Sequence, residues 1–250
     1  MGDLIKLELY KMHKKKYFII VILFNSVSLL YGLGIKFNWS WVLFNGKFDV
    51  IQYVGAIWQL LFLIGLPLIF FMYVGSSLLG GEKEEGQILL EITRVADRKK
   101  LVKAKLLATI SLIVFYYIIN IVLSTFSYFF LVRYTKYATL QLVILNEENI
   151  NLFITSLFGC VYIVIIVIIS MYLSIKYGAI ISTIGGVALY AITLLLARMD
   201  TIRVLIPGYF ALATDAHIDI GGILQQLIWS GLIILIFLYL MGRKINSLDL

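Results

Sequence analysis

Six stretches of this chain contain no Asp, Glu, Lys, Arg or His: approximately 17–35, 52–79, 106–132, 151–175, 178–197 and 222–241. Each is long enough to cross a bilayer as a helix, which takes about 20 residues. In hydrocarbon every backbone N–H and C=O must be bonded within the protein, so only helices and closed barrels span. The alternation of barrel strands is absent. The chain therefore reads as an all-α integral membrane protein with six transmembrane helices. Composition agrees. The residues are 62% hydrophobic and 14% charged, with a mean hydropathy of +0.99, whereas a soluble domain carries about 25% charged residues. The second run is the longest and overshoots the hydrocarbon core at the helical rise per residue. It must tilt, kink at Pro67 or project into water.

Lysine and arginine set the orientation. With the N-terminus inside, the cytoplasmic side holds Lys6, Lys11, Lys14, Lys15, Lys16, the basic residues of 80–105, Lys176, Arg243 and Lys244. The outer side holds only Lys36, Lys47, Arg133, Lys136, Arg198 and Arg203. The positive-inside rule then puts both termini in the cytoplasm of a multi-pass plasma-membrane protein. The net charge of +7 reports topology and contact with anionic lipid, not nucleic acid. The first run follows a basic segment but lacks a small-x-small cleavage site, so it reads as a retained span.

Residues 1–250 read as one transmembrane domain. The outer loops 36–51, 133–150 and 198–221 are short, and Lys176–Tyr177 forms a tight hairpin between runs four and five. There is no internal repeat. The single cysteine, Cys160, lies inside an apolar run, and no intramolecular disulfide is possible. Small residues such as Ser76/Gly80 and Ser182/Gly186 permit close helix approach, within one subunit or across a dimer.

The densest charge lies between runs two and three, where residues 80–105 read GGEKEEGQILLEITRVADRKKLVKAK. Ile88, Leu89, Ile92, Val95 and Ala96 recur with helical period and share one face. Glu91, Arg94, Asp97 and Arg98 fall on the other. Gly80, Gly81 and Gly86 let the chain turn. Asp97 suits the N-cap of the next helix. The expectation is a short amphipathic helix, acidic at its start and basic at its end, on the cytoplasmic face. An ordinary solvated loop is the bland alternative. At the N-terminus Leu4, Ile5, Leu9 and Met12 share a face, although Glu8 falls within it. That pattern suits a helix on the membrane surface, or simply a basic topogenic segment.

Other chemistry is sparse. Asp215, His217 and Asp219 have a spacing that can converge in a loop, but no further ligands lie nearby, and a solvated loop is preferred to a metal site. Glu84-Glu85 resembles the glutamate pair of intramembrane CAAX-type proteases. Ile88 and Leu89 follow it in place of an arginine, and both histidines lie outside the spans. The spans hold only Asn25, Gln59, Asn120 and scattered Ser and Thr. Ion-coupled carriers usually bury ionisable groups at depth, and a channel needs a polar filter. There is no G-x-x-x-x-G-K-[ST] phosphate loop, so the chain is not expected to be an enzyme.

The loop residues Glu82–Gly86, Arg98–Lys100 and Lys103–Lys105, the opening LIKLELYKMHKKKYFIIVIL and Pro207-Gly208 before the last span together resemble the type-2 ABC exporter permeases. The resemblance covers the whole chain. The short outer loops look most like the bacterial branch concerned with peptide antibiotics, including lantibiotic immunity permeases. It implies a separate cytoplasmic ATP-binding subunit that carries ATP and Mg, and a second permease, identical or paralogous. It implies a coupling helix on which Glu82, Glu85, Gly86, Ile88, Leu89, Ile92 and Arg98 engage that subunit. It also implies a re-entrant segment at about 200–221 turning at Pro207-Gly208. The cargo would be an amphipathic peptide, expelled or cleared. An immunity protein that sequesters such a peptide without ATP is the alternative.

Overall fold

The computed structural model describes residues 1–42, 46–94, 98–139, 141–199, 202–212 and 218–246, with the backbone alone at 89, 92–94 and 246. The described residues are mostly helical, and no strand occurs among them. An isolated bridge joins Phe48 to Ala138. The helices are α1 (Gly2–Lys14), α2 (Tyr17–Asn25), α3 (Val27–Lys36), α4 (Val50–Ile64), α5 (Leu66–Ser76), α6 (Glu82–Glu84), α7 (Gln87–Arg94), α8 (Arg98–Ser127), α9 (Glu147–Tyr177), α10 (Ala179–Leu196), α11 (Tyr209–Leu212) and α12 (Ile220–Asn246). Wide π-turns follow α5 at Ser77–Gly81 and α8 at Tyr128–Val132, and a 3₁₀ turn covers Arg203–Leu205.

Five helical segments are long and apolar enough to cross a membrane: Tyr17–Lys36, Arg98–Val132, Glu147–Tyr177, Ala179–Leu196 and Ile220–Ile245. By that measure the chain is a multi-pass membrane protein. Each corresponds to an apolar run, and α8 and α9 extend past their runs into charged sequence at their N-terminal ends. The remaining run differs from expectation. It is not one helix but two, α4 and α5, and the break falls at Gly65 rather than at Pro67. Gly65 caps α4 with φ of 73°, a left-handed conformation that glycine adopts without a Cβ penalty. Pro67 sits in the first turn of α5, where a missing N–H leaves no bond unmade.

The chain packs as two compact units, each assembled from separated segments. One comprises Lys16–Pro67 and Val114–Leu157. Several of its buried polar groups answer one another. The Tyr53 hydroxyl donates to the Ser28 carbonyl at 2.8 Å and lies 2.9 Å from Ser127 Oγ. Ser127 donates to the same carbonyl at 2.7 Å. Asp49 caps α4 by accepting the Gln52 N–H at 2.9 Å, and Gln52 Oε1 accepts the Asp49 N–H in return. The second Asp49 oxygen accepts from Ile144 N–H at 2.8 Å and Asn149 Nδ2 at 2.7 Å. A reciprocal capping box of this kind satisfies orphan donors at a helix start.

The other unit comprises Met1–Lys15, Leu68–Ile113 and Phe158–Leu250. Its helices meet through small residues. A Cβ on Gly80 would lie 2.6 Å from the Ser174 carbonyl oxygen, and one on Gly186 would lie 2.8 Å from Met72 Sδ. Both glycines anticipated as contact points therefore serve packing inside this unit. The segment before α12 also belongs here. Gly208 has φ of +81°, and a Cβ there would run into the Tyr162 ring. Gln226, fully buried on α12, accepts the Gly208 N–H at 3.1 Å and donates to the Val204 carbonyl at 2.7 Å. Tyr209 and Phe210 are buried beside this turn.

Gly80→Ala should destabilise the protein by about 1–3 kcal/mol, because the added methyl must displace backbone. Gly231→Ala, which meets no atom within 4 Å, should be neutral or better. Thermal unfolding of the two variants in detergent micelles checks the contrast.

Candidate functional site

The charged loop does not stand apart from the helices. Glu82 opens α6, immediately after the π-turn that ends the second apolar run, and its side chain is 1% exposed. Lys105 lies two turns into α8 and is 0% exposed. Glu8, the charge that interrupts the apolar face of α1, is 0% exposed as well. These three meet Lys11 of α1 and Glu91 of α7 in one cluster, three carboxylates around two ammonium groups.

Each ammonium touches all three acids. Lys11 Nζ lies 3.0 Å from Glu8 Oε1 and 3.4 Å from Glu82 Oε1, and it is paired with Glu91. Lys105 Nζ lies 3.1 Å from Glu8 Oε1 and 2.9 Å from Glu91 Oε2, and it is paired with Glu82. Burial alone would push the Lys11 pKa down. The hydrogen bond to Glu91 and the charges of Glu8 and Glu82 outweigh it and hold the ammonium well above its ordinary range. Burial would likewise raise Glu91, but Lys11 and Lys105 hold its carboxyl below the usual value. Ions so far from water persist only when each is answered, and removing one partner strands the other.

The three carboxylates also lie close enough to share a cation, with oxygens within 4.8 Å of one another. Hard divalent ions favour such oxygen donors. Here two ammonium groups already occupy the space between them. A metal ion would have to displace both against like-charge repulsion, so the donor set suits an ion-pair cluster better than a metal centre.

The rest of the loop is tied down nearby. Lys83 donates to the Ile175 carbonyl at 2.7 Å, near the C-terminus of α9, where a cation is favoured. The Glu84 carboxylate lies against Gly178, which links α9 to α10 with φ of +78°. Glu85 is exposed and accepts from Gln87 Nε2 at 2.7 Å. Gly86 has φ of +74° and open space around it.

The residues singled out from the sequence therefore divide. Glu82 is turned inward and paired within the chain, where exposure to a partner was expected. Ile88, 3% exposed, is likewise covered rather than presented. Among the described side chains of α7, Gln87 and Leu90 are exposed. Arg98 starts α8 and is half-buried. The side chains of Leu89 and Ile92 lie outside the described residues, as do Val95, Ala96 and the expected cap Asp97. Asp215 and His217 also lie outside them. Asp219, the third of that trio, accepts the Gly222 N–H at 3.1 Å and caps α12. Pro207 and Gly208 form the turn pinned by Gln226. Glu8, Lys11, Glu91 and Lys105 are not among the coupling residues expected from the sequence, although Glu91 lies on the polar side of the loop helix and Lys105 ends the basic run Lys103–Lys105. The signal that marks Glu8 is a charge on an otherwise apolar helix face. Lys11, Glu91 and Lys105 lie among other charged residues, and nothing in the sequence sets them apart from those as a buried cluster.

No family model, curated protein or solved structure matches this chain. The site accordingly stands on its geometry.

Lys105→Met leaves Glu8 and Glu82 buried with half their counter-charge, and should cost about 3–5 kcal/mol, read as a fall in thermal stability. A second expectation concerns pH. Glu91 is depressed, so its share of stability is present above 4.5 and is lost as pH falls through the folded value. Lys11 is raised, so its share is present below 10.5 and is lost as pH rises through the folded value. The melting-temperature gap between the native chain and Glu91→Gln should stay constant across neutral pH and narrow below pH 4.5.

Proposed function

We propose that this chain is the membrane permease of an ATP-driven exporter that expels or clears an amphipathic peptide. Both termini face the cytoplasm, and the bent second run completes a set of six spans. A separate cytoplasmic subunit binds and hydrolyses ATP with Mg, since this chain carries no phosphate-binding loop. A second permease, identical or paralogous, completes the translocation path. The segment through Pro207-Gly208 dips back toward the membrane before the last span.

The observation that carries this reading is the five-residue ion cluster. It fastens α1, α6 and α7 to the base of α8, a continuous helix that becomes a spanning segment. A push on a loop helix normally dissipates in the loop's own flexibility. Here a displacement of α7 must either move α1 and α8 with it or separate buried charges, which costs several kcal/mol. That is the mechanical requirement for passing an ATPase stroke into a bilayer. The contact surface for the ATPase is then Glu85, Gln87 and Leu90, the exposed side of the loop, while Glu82 and Ile88 hold the loop to the body from within. Arg98 stands at the entry to α8. The charge-free spans favour ATP over a proton or sodium gradient as the source of energy.

The test is co-purification with a candidate cytoplasmic ATP-binding subunit, followed by ATP hydrolysis measured with peptide. Leu90→Asp should weaken subunit assembly at least tenfold while leaving the permease folded. Glu91→Gln should keep assembly but reduce peptide-stimulated hydrolysis several-fold. Unchanged assembly and hydrolysis in both variants would refute the coupling role. Peptide protection by the permease without any ATPase would favour sequestration instead.

A further inference from the structure

Helix α4 buries Tyr53, Ile57, Trp58 and Leu61 on one side. Its other side carries Gln52, Ala56, Gln59 and Leu63, which recur at helical spacing. Gln52 is half-buried there, and Ala56, Gln59 and Leu63 are exposed. Gln59 is an amide inside the second apolar run. Other such amides, Asn25, Asn120 and Gln226, are buried and hydrogen-bonded. Gln59 faces outward and makes no hydrogen bond among the described residues. The helical rise puts it about 14 Å from the start of α4, and the hydrocarbon core is about 30 Å thick. An amide at that depth needs a partner, because hydrocarbon offers none. In membranes such side chains join one helix to another.

The same face borders a groove of about 280 Å³, into whose wall Gln52, Ala56 and Gln59 enter together with Lys47 and Glu148. Lys47 precedes α4, and Glu148 lies in the first turn of α9. Both are exposed, and neither has an ion partner among the described residues. The groove therefore offers one cation and one anion at its polar end. Further along α4 it offers an amide that both donates and accepts. Ala56, between them, leaves room for a second helix to approach closely.

A surface with both signs of charge and a two-way amide can be answered by a copy of itself. In a two-fold contact, residue i of one copy meets j of the other, and j meets i. An axis along the bilayer normal also keeps every residue at its own depth. A phospholipid could answer both charges with a zwitterionic headgroup, but its acyl chain would leave Gln59 bare. We propose that this face of α4 is the contact between two copies of this chain. Gln59 bonds Gln59 of the second copy, Ala56 packs on the second copy's α4, and Lys47 pairs with Glu148 of the second copy. The proposal rests on the reading of a paired permease and commits it to an identical partner at a named surface.

The test uses the full chain without its ATPase, carrying Cys160→Ala so that no other thiol is present. Gln59→Cys should give a disulfide-linked dimer on mild oxidation in membranes. Ile180→Cys, at an exposed position of α10, should not. Gln59→Leu should weaken association in micelles about three- to thirtyfold, the range of an interhelical hydrogen bond. Lys47→Glu and Glu148→Lys should each weaken self-association by setting like charges together. Mixing the two variants should restore it, because both contacts of the mixed pair regain opposite signs. A role confined to one chain would not respond to mixing. Association unchanged by Gln59→Leu, or mixing without rescue, would overturn the assignment. Linkage at Ile180→Cys in place of Gln59→Cys would overturn this face and leave the paired permease standing. A chain that stays monomeric yet assembles with its ATP-binding subunit would overturn the identical pairing and leave the coupling role standing. Saturable binding of phosphatidylethanolamine that Lys47→Glu abolishes, without linkage at Gln59→Cys, would mark the groove as a lipid site and also overturn the assignment.

Discussion

In a chain this apolar, a polar atom that loses water must find its partner inside the protein, because the surrounding medium offers none. Most of the notable geometry follows from that requirement. The backbone meets it by being helical almost throughout. Helix α4 meets it at its start with the Asp49–Gln52 capping box. Tyr53, Ser28 and Ser127 close a triangle of hydroxyl and carbonyl groups. Gln226 bonds both Val204 and Gly208, replacing with a side chain the bonds that an irregular segment cannot make for itself. Glu8, Lys11, Glu82, Glu91 and Lys105 meet the same requirement at the highest stakes, since each is a charge.

The same requirement makes exceptions informative. Several buried side-chain oxygens, among them Asn120 Oδ1, Ser124 Oγ and Asn149 Oδ1, have no hydrogen-bond partner. The ion cluster carries three negative and two positive formal charges, and Glu8 Oε2 has no hydrogen-bond donor. An array this tightly paired is a poor element for gradual adjustment. It is well suited to moving as one piece.

The apolar runs were legible in the sequence because length and the absence of charge are local properties. Five of the six correspond to helical segments long enough to cross a membrane, and the second corresponds to the bent pair α4 and α5. The helical period from Ile88 is legible for the same reason, and α7 spans Gln87–Arg94. The outcome differed where three-dimensional neighbours decide. Ile88 belongs by its period to a face that suits another protein, but the chain's own packing covers it. Glu82 reads as a loop charge until Lys105 and Lys11 are brought to it from distant positions. Glu8 was visible as an irregularity in α1, but its meaning depends on residues 74 and 97 positions further along. The break at Gly65 was hidden behind the more conspicuous Pro67, because proline in a first helical turn does no harm.

The π-turn at Ser77–Gly81 has a consequence for how this chain tolerates change in length. Such a turn holds more residues than an α-helical turn, and successive residues in an α-helix are about 100° apart around the axis. Removing one residue there would do more than shorten the chain. It would rotate everything beyond it by roughly a quarter of a circle relative to α5. Glu82, the first residue after the turn, would swing away from Lys105. The register of a five-residue stretch of SLLGG, with no charge of its own, thus aims the acid on which the cluster closes.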